Sequence, residues 1–413
     1  MGAFMQVIQL PLSKSILIRK LFINYIYFNE IVRIKTKVPE DIRIVFRNLL
    51  LMRSASQRKD NQLVTIDVKD CGAAFRFFAA LLACTEGRWL LTGTERLLQR
   101  PIAPLVEALN SIGADIKKLE NGFLICGKRI SAEKIETDTT ESSQFLTAIL
   151  LISKKIGLRK ISLKNDFRPS FSYVALTCEM LRRVGTETLV GKSEIGISYR
   201  NLQRMPLPDE ADWSVAAFWY AAARLTGRSF CLARLNVHSA QPDRNLITIF
   251  EMFGVRTKAV PNGIFISPDF YAVKGKLRLD LRDNPDLAPV ICAMTVLLRQ
   301  PAEITGLETL NQKESKRLHV LKEELQQFAD IQIIGSGTLD INPKDKLPKT
   351  SEKLFFDSHR DHRMVMAFSL FNFFYDVEIN GFSSVKKSYP EFKIQIDKIL
   401  SLQSFNQMFN QNQ

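Results

Sequence analysis

Six times along the 413-residue chain, a short polar group is followed at once by an apolar run with helical spacing. The sharpest case is Asp361-His362-Arg363, which leads into Met364 to Leu370. Ser13-Lys14-Ser15 precedes Ile16 to Phe28, Cys71-Gly72-Ala73 precedes Ala74 to Cys84, and Glu141-Ser142-Ser143-Gln144 precedes Phe145 to Ile152. Asp212-Trp213-Ser214 precedes Val215 to Leu225, and Asn284-Pro285-Asp286 precedes Leu287 to Leu298. A helix reads this way when its body lies in a core and its N-terminus faces a ligand. Such an N-terminus carries about half a unit of positive charge and free N–H groups, so it suits an anion.

The six groups recur at roughly 60 to 80 residues, a period expected of one repeated structural unit. Most runs are followed by a small turn residue and a β-rich stretch, as in Gly87 to Leu91, Gly157 to Ile161 and Gly227 to Cys231. Several units then offer a second helix, such as Pro104 to Leu109. These end in a glycine before another strand, at Gly113, Gly185 and Gly254. Glycine there fits the left-handed cap that closes a helix. Any α/β protein alternates in this manner; the polar group at each first helix is what sets this chain apart. Met5 to Leu10 reads as a strand, Asp41 to Met52 as a helix and Leu63 to Val68 as a strand. Pro206 to Asp212, with two prolines and three acids, reads as a crossover between domains or as a surface loop. Ser404 to Gln413 reads as a frayed tail.

Length fits about two or three domains. A net charge of +14 and a pI near 9.5 point to anionic partners. The basic residues are dispersed, and no basic motif with interleaved aromatics points to nucleic acid. Cys71, Cys84, Cys126, Cys178, Cys231 and Cys292 form no CxxC pair, and read as reduced thiols of a cytoplasmic protein. Cys71, beside a helix start, reads as structural in preference to a reactive thiol. His238, His319, His359 and His362 lack metal-ligand spacing. No apolar run reaches the roughly 18 residues that span a bilayer. Arg19-Lys20 breaks the first run, so no signal peptide is expected, and Met1-Gly2 lacks the pattern for myristoylation.

Several short motifs occur in a fixed order. They are Ser13-Lys14-Ser15 with Arg19, Gly72 with Arg76, Gln99-Arg100-Pro101-Ile102, Ser142-Ser143-Gln144-Phe145, Lys313-Glu314 with Arg317-Leu318, Asp361-His362-Arg363-Met364 and Lys387-Ser388-Tyr389-Pro390. As an ordered set they resemble the 5-enolpyruvylshikimate-3-phosphate synthase family of enolpyruvyl transferases. The related transferase family acting on UDP-N-acetylglucosamine shares the fold but lacks the Ser-Ser-Gln and Asp-His-Arg-Met set. The resemblance spans nearly the whole chain. It implies an α/β fold of two domains, each an inside-out α/β barrel of three βαβαββ-type repeats, six in all. The expected domains are residues 1–13 with 212–413, and residues 14–211, with the active site in the cleft between them. It also implies a cytoplasmic monomer with small anionic substrates, no cofactor, no metal, and neither nucleic acid nor membrane as partner.

The implied substrates are shikimate 3-phosphate and phosphoenolpyruvate, for which a site needs several cations. By resemblance, Lys14, Ser15, Arg19, Ser142, Ser143, Gln144, Ser170, Tyr173, Asp286 and Lys313 hold the former. Lys14, Gly72, Arg100, Gln144, Arg317, Arg363 and Lys387 hold the latter, with Gly72 admitting a close backbone approach. The implied reaction adds the shikimate 5-hydroxyl to C2 of phosphoenolpyruvate while C3 gains a proton, and then expels phosphate. Asp286 is the base at the hydroxyl; Glu314, aided by Lys14, handles the C3 proton. His362 orients. On residue type alone, Ser142 and Asp286 read equally well as plain helix caps.

The sequence departs from the family pattern at named points. Leu12 stands where Gly is usual, and Leu17-Ile18 where Ser-Asn is usual. Asp70-Cys71-Gly72-Ala73 replaces Asn-Ala-Gly-Thr, Lys316 replaces Asp, and Thr309 replaces a polar amide. Asp70 is expected to bring negative charge toward the phosphoenolpyruvate carboxylate, so an active but slow enzyme is expected. The alternatives are a weak or inactive paralogue that binds an anion in the interdomain cleft, and a basic nucleic-acid-binding protein.

Overall fold

Four sheets follow one plan. In the sheet of Leu63–Asp67, Gly87–Thr92, Gly122–Gly127 and Ile116–Leu119, the first two strands are parallel and the others pair antiparallel. A helix, Gly72–Ala83, joins the parallel pair, as a parallel connection requires. Helix Ala103–Ser111 then leads to the hairpin Ile116–Leu119 and Gly122–Gly127, turned over two residues. The same βαβαββ order recurs in Lys134–Thr137, Lys160–Leu163, Thr186–Val190 and Glu194–Tyr199. It recurs again in Leu277–Asp280, Ala302–Thr305, Ala329–Ile334 and Thr338–Pro343. The fourth copy takes its first strand, Gln6–Ile8, from the chain start and pairs it with Phe230–Ala233. A fifth sheet has two parallel strands, Lys353–Asp357 and Asp376–Asn380. Helices Lys14–Phe28 and Glu40–Ser56 have no strand between them among the described residues. The fold is therefore α/β with repeated βαβ-type sheets.

This computed structural model describes residues 6–34, 38–56, 62–166, 170–204, 206–269 and 273–410, with side chains to Ser401. The chain divides into two compact units. One, called terminal here, comprises Met1–Ser13, Glu210–Ser239 and Asp243–Gln413; the other, central, comprises Lys14–Asp209 and Ala240–Pro242. Where the terminal unit's chain leaves and returns, Leu12 and Ala211 form an antiparallel bridge. Ser13 N donates to Glu210 O at 2.8 Å, and Asp212 N donates to Pro11 O at 3.0 Å.

The helices that follow the polar groups are apolar nearly all round, and that fixes their depth. In Gly72–Ala83 every residue but Ala73 is buried; in Ala288–Leu297 every residue but Leu297 is buried. Trp213–Thr226 is buried from Trp213 to Ala223, and all of His362–Ser369 is buried. Each fully buried Leu or Phe contributes about 1.5–3 kcal/mol. Phe22 meets Phe77 and Phe78 edge-on, with centroids 5.5 and 4.9 Å apart. A helix buried on every side has no solvated face, so its polar residues gather at its ends.

The glycines expected to close second helices do so. Gly113, Gly185 and Gly254 have φ of 95°, 92° and 77°, where a Cβ is strained. All six cysteines are free, and burial pushes the thiols of Cys84 and Cys292 up to about 12. No helix among the described residues is long and apolar enough to cross a membrane.

One expectation is corrected. The stretch from Ser404 is not a frayed tail but the end of helix Phe392–Asn410. Phe392, Ile396 and Ile399 anchor its first turns in the core, and the segment itself contains no Gly or Pro to break it. Residues 411–413 lie outside the described residues, as does Met5 at the start of the first expected strand.

Candidate active site

In the terminal unit, Arg317 opens helix Arg317–Leu325 and is 1% exposed. Its guanidinium holds three carboxylates. Nε donates to Asp361 Oδ2 at 2.8 Å and Nη2 to Asp361 Oδ1 at 3.2 Å. Nη1 donates to Asp286 Oδ1 at 2.8 Å, and Nη2 to Glu314 Oε2 at 2.9 Å. A second layer of cations completes the group. Arg363 Nη2 lies 3.1 Å from Asp286 Oδ2, Lys313 Nζ 3.7 Å from Asp286 Oδ1, and Lys387 Nζ 3.3 Å from Glu314 Oε1.

Each residue is placed by a terminus or turn. Asp361 caps helix His362–Ser369, accepting from Arg363 N at 2.9 Å, and also accepts from Ser315 Oγ at 3.1 Å. Asp286 sits in the turn Pro285–Leu287 before the buried helix Ala288–Leu297 and makes no cap hydrogen bond. It pairs with the cations Arg317, Arg363 and Lys313, so the plain cap reading does not hold. Lys387 ends the turn Phe382–Lys387. His362 is buried beside Asp361, its Nδ1 3.8 Å from Oδ1.

The charges shape proton affinity. Burial alone would raise the Asp286 carboxyl, but Lys313, Arg363 and Arg317 outweigh both burial and Glu314, holding it well below the usual range. Burial would likewise lower Arg317, yet Asp361, Asp286 and Glu314 raise it. Behind them lies Asp243, fully buried, accepting from Asn284 Nδ2 at 3.1 Å and from the Ser214 hydroxyl. Burial and then the Asp286 charge push its carboxyl up, against Arg363 and its hydrogen bonds.

The central unit holds the other candidates. Lys14 opens helix Lys14–Phe28, with Nζ 3.0 Å from buried Asp41 Oδ2. Arg19 is buried and fastens two helices, with Nε donating to Thr177 Oγ1 at 2.8 Å, Nη1 to Ser15 O at 2.9 Å and Nη2 to Tyr173 O at 3.0 Å. Burial lowers its pKa to about 10. Ser170 precedes helix Phe171–Arg182 with φ of 55°, and Tyr173 lies in that helix's first turn. Ser142 caps helix Ser143–Ile156, accepting from Gln144 N at 3.3 Å, so its cap reading holds. Gln144 Oε1 is buried without a hydrogen-bond partner.

Gly72 opens helix Gly72–Ala83, and a Cβ there would lie 2.6 Å from Arg100 Nη1 and 2.9 Å from Arg76 Nη1. The close approach that Gly72 permits is thus made by the Arg100 guanidinium. Arg76 braces it from inside, donating to Gly72 O at 2.9 Å and Pro101 O at 2.5 Å. Asp70, expected to bring negative charge to this helix start, is ion-paired with Arg96 and accepts from Thr94 Oγ1 at 3.2 Å.

Sequence reasoning missed Asp41 and Asp243 as neighbours of the site. Nothing in local spacing ties Asp41 to Lys14, whereas the polar Gln241-Pro242-Asp243 before an apolar run offered a signal. Among the described residues, no group of three or more His, Cys, Asp or Glu is arranged to hold a metal ion.

Comparison with known proteins bears on what these groups do. A family model described as EPSP synthase (3-phosphoshikimate 1-carboxyvinyltransferase) matches residues 48–396. A 3-phosphoshikimate 1-carboxyvinyltransferase of Bacteroides fragilis is 31% identical over 393 residues, covering 93% of this chain and 92% of that protein. One from Methanospirillum hungatei is 28% identical over 345 residues, covering 81% and 79%. In fold, the chain is similar to the EPSP synthase structure from Acinetobacter baumannii, with TM-score 0.70, 19% identity and 96% of each chain covered. The class is that of α/β proteins with enolpyruvyl-transfer chemistry. Within it, the chain belongs to the EPSP synthase (3-phosphoshikimate 1-carboxyvinyltransferase) family.

Proposed function

We propose that the protein transfers the enolpyruvyl group of phosphoenolpyruvate to the 5-hydroxyl of shikimate 3-phosphate and releases phosphate. The observation that carries this reading is the pair of carboxylates, Asp286 and Glu314, held on one buried arginine and each contacted by a further cation. Addition followed by elimination needs one group at the hydroxyl and another at C3, in different surroundings. Asp286 and Glu314 meet that need.

The cations serve first as counter-ions. In the free protein three of them keep Asp286 ionised, which also makes it a weak base. Phosphoenolpyruvate brings a carboxylate and a phosphate, which compete for Arg317, Arg363 and Lys387. As these turn to the substrate, Asp286 regains proton affinity and takes the proton of the 5-hydroxyl. The hydroxyl oxygen bonds to C2 while Glu314, with Lys14, protonates C3 to a methyl. The C2–O bond to phosphate then breaks, C3 returns a proton, and the enolpyruvyl ether forms. Once turned to the substrate, these cations surround the departing phosphate and stabilise the negative charge that develops on it. Lys14, Ser15, Arg19, Ser142, Ser143, Gln144, Ser170, Tyr173 and Lys313 hold shikimate 3-phosphate; the orphaned Gln144 Oε1 supports their part. Gly72 and Arg100 serve phosphoenolpyruvate at a helix N-terminus. The fold in this reading is the two-domain inside-out barrel of six repeats.

The reaction in deuterium oxide tests the mechanism. A transient methyl at C3 loses any of three hydrogens, so solvent deuterium should enter the enolpyruvyl methylene of the product. Product formed with no deuterium would overturn addition–elimination.

A further inference from the structure

Asp70 places a carboxylate two residues before the helix start assigned above to phosphoenolpyruvate, where negative charge opposes an anion. Its surroundings answer that charge. Arg96 Nη2 pairs with Asp70 Oδ2, and Thr94 Oγ1 donates to Asp70 Oδ1 at 3.2 Å. Thr94 caps the short helix Glu95–Leu98, of which Arg96 is the second residue, and Arg100 lies two residues past its end, after the cap residue Gln99.

The two loops are also stitched through backbone. Thr94 N donates to Lys69 O at 2.7 Å and Val68 N to Thr92 O at 3.0 Å. Lys69 holds φ of 53°, and a Cβ at Gly93 would lie 2.5 Å from Lys69 O. Backbone contacts therefore hold the two loops together, and the side-chain pair adds the charge balance.

We infer that Arg96 is the compensating positioning residue for Asp70. It cancels the carboxylate's field at the Gly72 helix start, and so allows Arg100 to receive an anion there. The inference rests on the transferase reading and concerns only the phosphoenolpyruvate half of the site. Arg96 is partly exposed and its removal opens no core, so the fold should survive.

The test is a steady-state cycle of Arg96→Ala, Asp70→Asn and the double variant, with thermal melts as a folding control. Arg96→Ala should raise KM for phosphoenolpyruvate about tenfold and leave kcat and KM for shikimate 3-phosphate nearly unchanged, since it removes only electrostatic support for the second anion. Adding Asp70→Asn should restore KM to within about threefold of the original, because the carboxylate's opposing charge is then gone while an amide oxygen still accepts from Thr94. A double variant no better than Arg96→Ala overturns the inference and leaves the transferase reading standing. An equal rise in both KM values overturns it likewise, as a general loosening of the loop. Absence of turnover in the unaltered protein overturns the transferase reading and this inference together.

Discussion

Arg317 Nη1 donates to Asp286 Oδ1 at 2.8 Å, while the same guanidinium reaches Glu314 and both oxygens of Asp361. One buried cation thus ties the two proposed proton-transfer groups together and anchors the cap of a third helix. Lysine offers a point charge and cannot span three carboxylates. Arg317→Lys should lower kcat/KM by about 100-fold and destabilise the fold by about 2–4 kcal/mol, as a disrupted buried ion-pair group does. Steady-state rates and urea denaturation check this; a variant with normal rate and stability would remove Arg317 from the centre of the site.

Asp286→Asn and Glu314→Gln keep shape and remove a proton acceptor. Each should reduce kcat by about 10² to 10⁴ and leave shikimate 3-phosphate binding within a few-fold by calorimetry. If either variant turns over at the normal rate, that residue has no proton-transfer role.

The ion pairs on Asp286 also give stability a pH dependence. Its pKa in the folded protein lies well below the unfolded value, near 3.9. The contribution is therefore fully present above the unfolded value and is lost as pH falls through the folded one. Urea denaturation should show Asp286→Asn clearly less stable than the original chain at pH 7, with the gap closing below about pH 4. A gap that stays constant into acid would mean the carboxylate's charge contributes nothing.

Lys316 occupies the cap position of helix Arg317–Leu325 and makes no cap hydrogen bond. A cation there also opposes the helix dipole. Lys316→Asp should stabilise the protein by about 1 kcal/mol, visible as a raised Tm. A lowered Tm would mean that Lys316 has another partner that matters more.

Much of this was legible in the sequence because buried helices are written plainly. Met364 to Leu370 is apolar but for Ser369, and Ala74 to Cys84 but for Arg76, so their starts stood out, and Asp361, Gly72 and Arg363 stood out with them. Glycines at 113, 185 and 254 marked helix ends for a backbone reason that sequence carries directly. What stayed hidden depended on pairing across distance. Nothing near Asp70 announces that Arg96 answers its charge, because that contact comes from the short helix Glu95–Leu98, beyond the next helix and strand. Lys14 and Asp41 meet from the first turns of two different helices, and Asp243 lies behind Asp286 from another repeat. The end of helix Phe392–Asn410 was misread because Asn and Gln suggest a tail, although the segment holds no Gly or Pro to break a helix.

Phosphate release by the purified protein tests the central claim most directly, with shikimate 3-phosphate and phosphoenolpyruvate supplied together and each omitted in turn. The account predicts release only when both are present, in step with the loss of phosphoenolpyruvate. Release without shikimate 3-phosphate, or none with both, would contradict it.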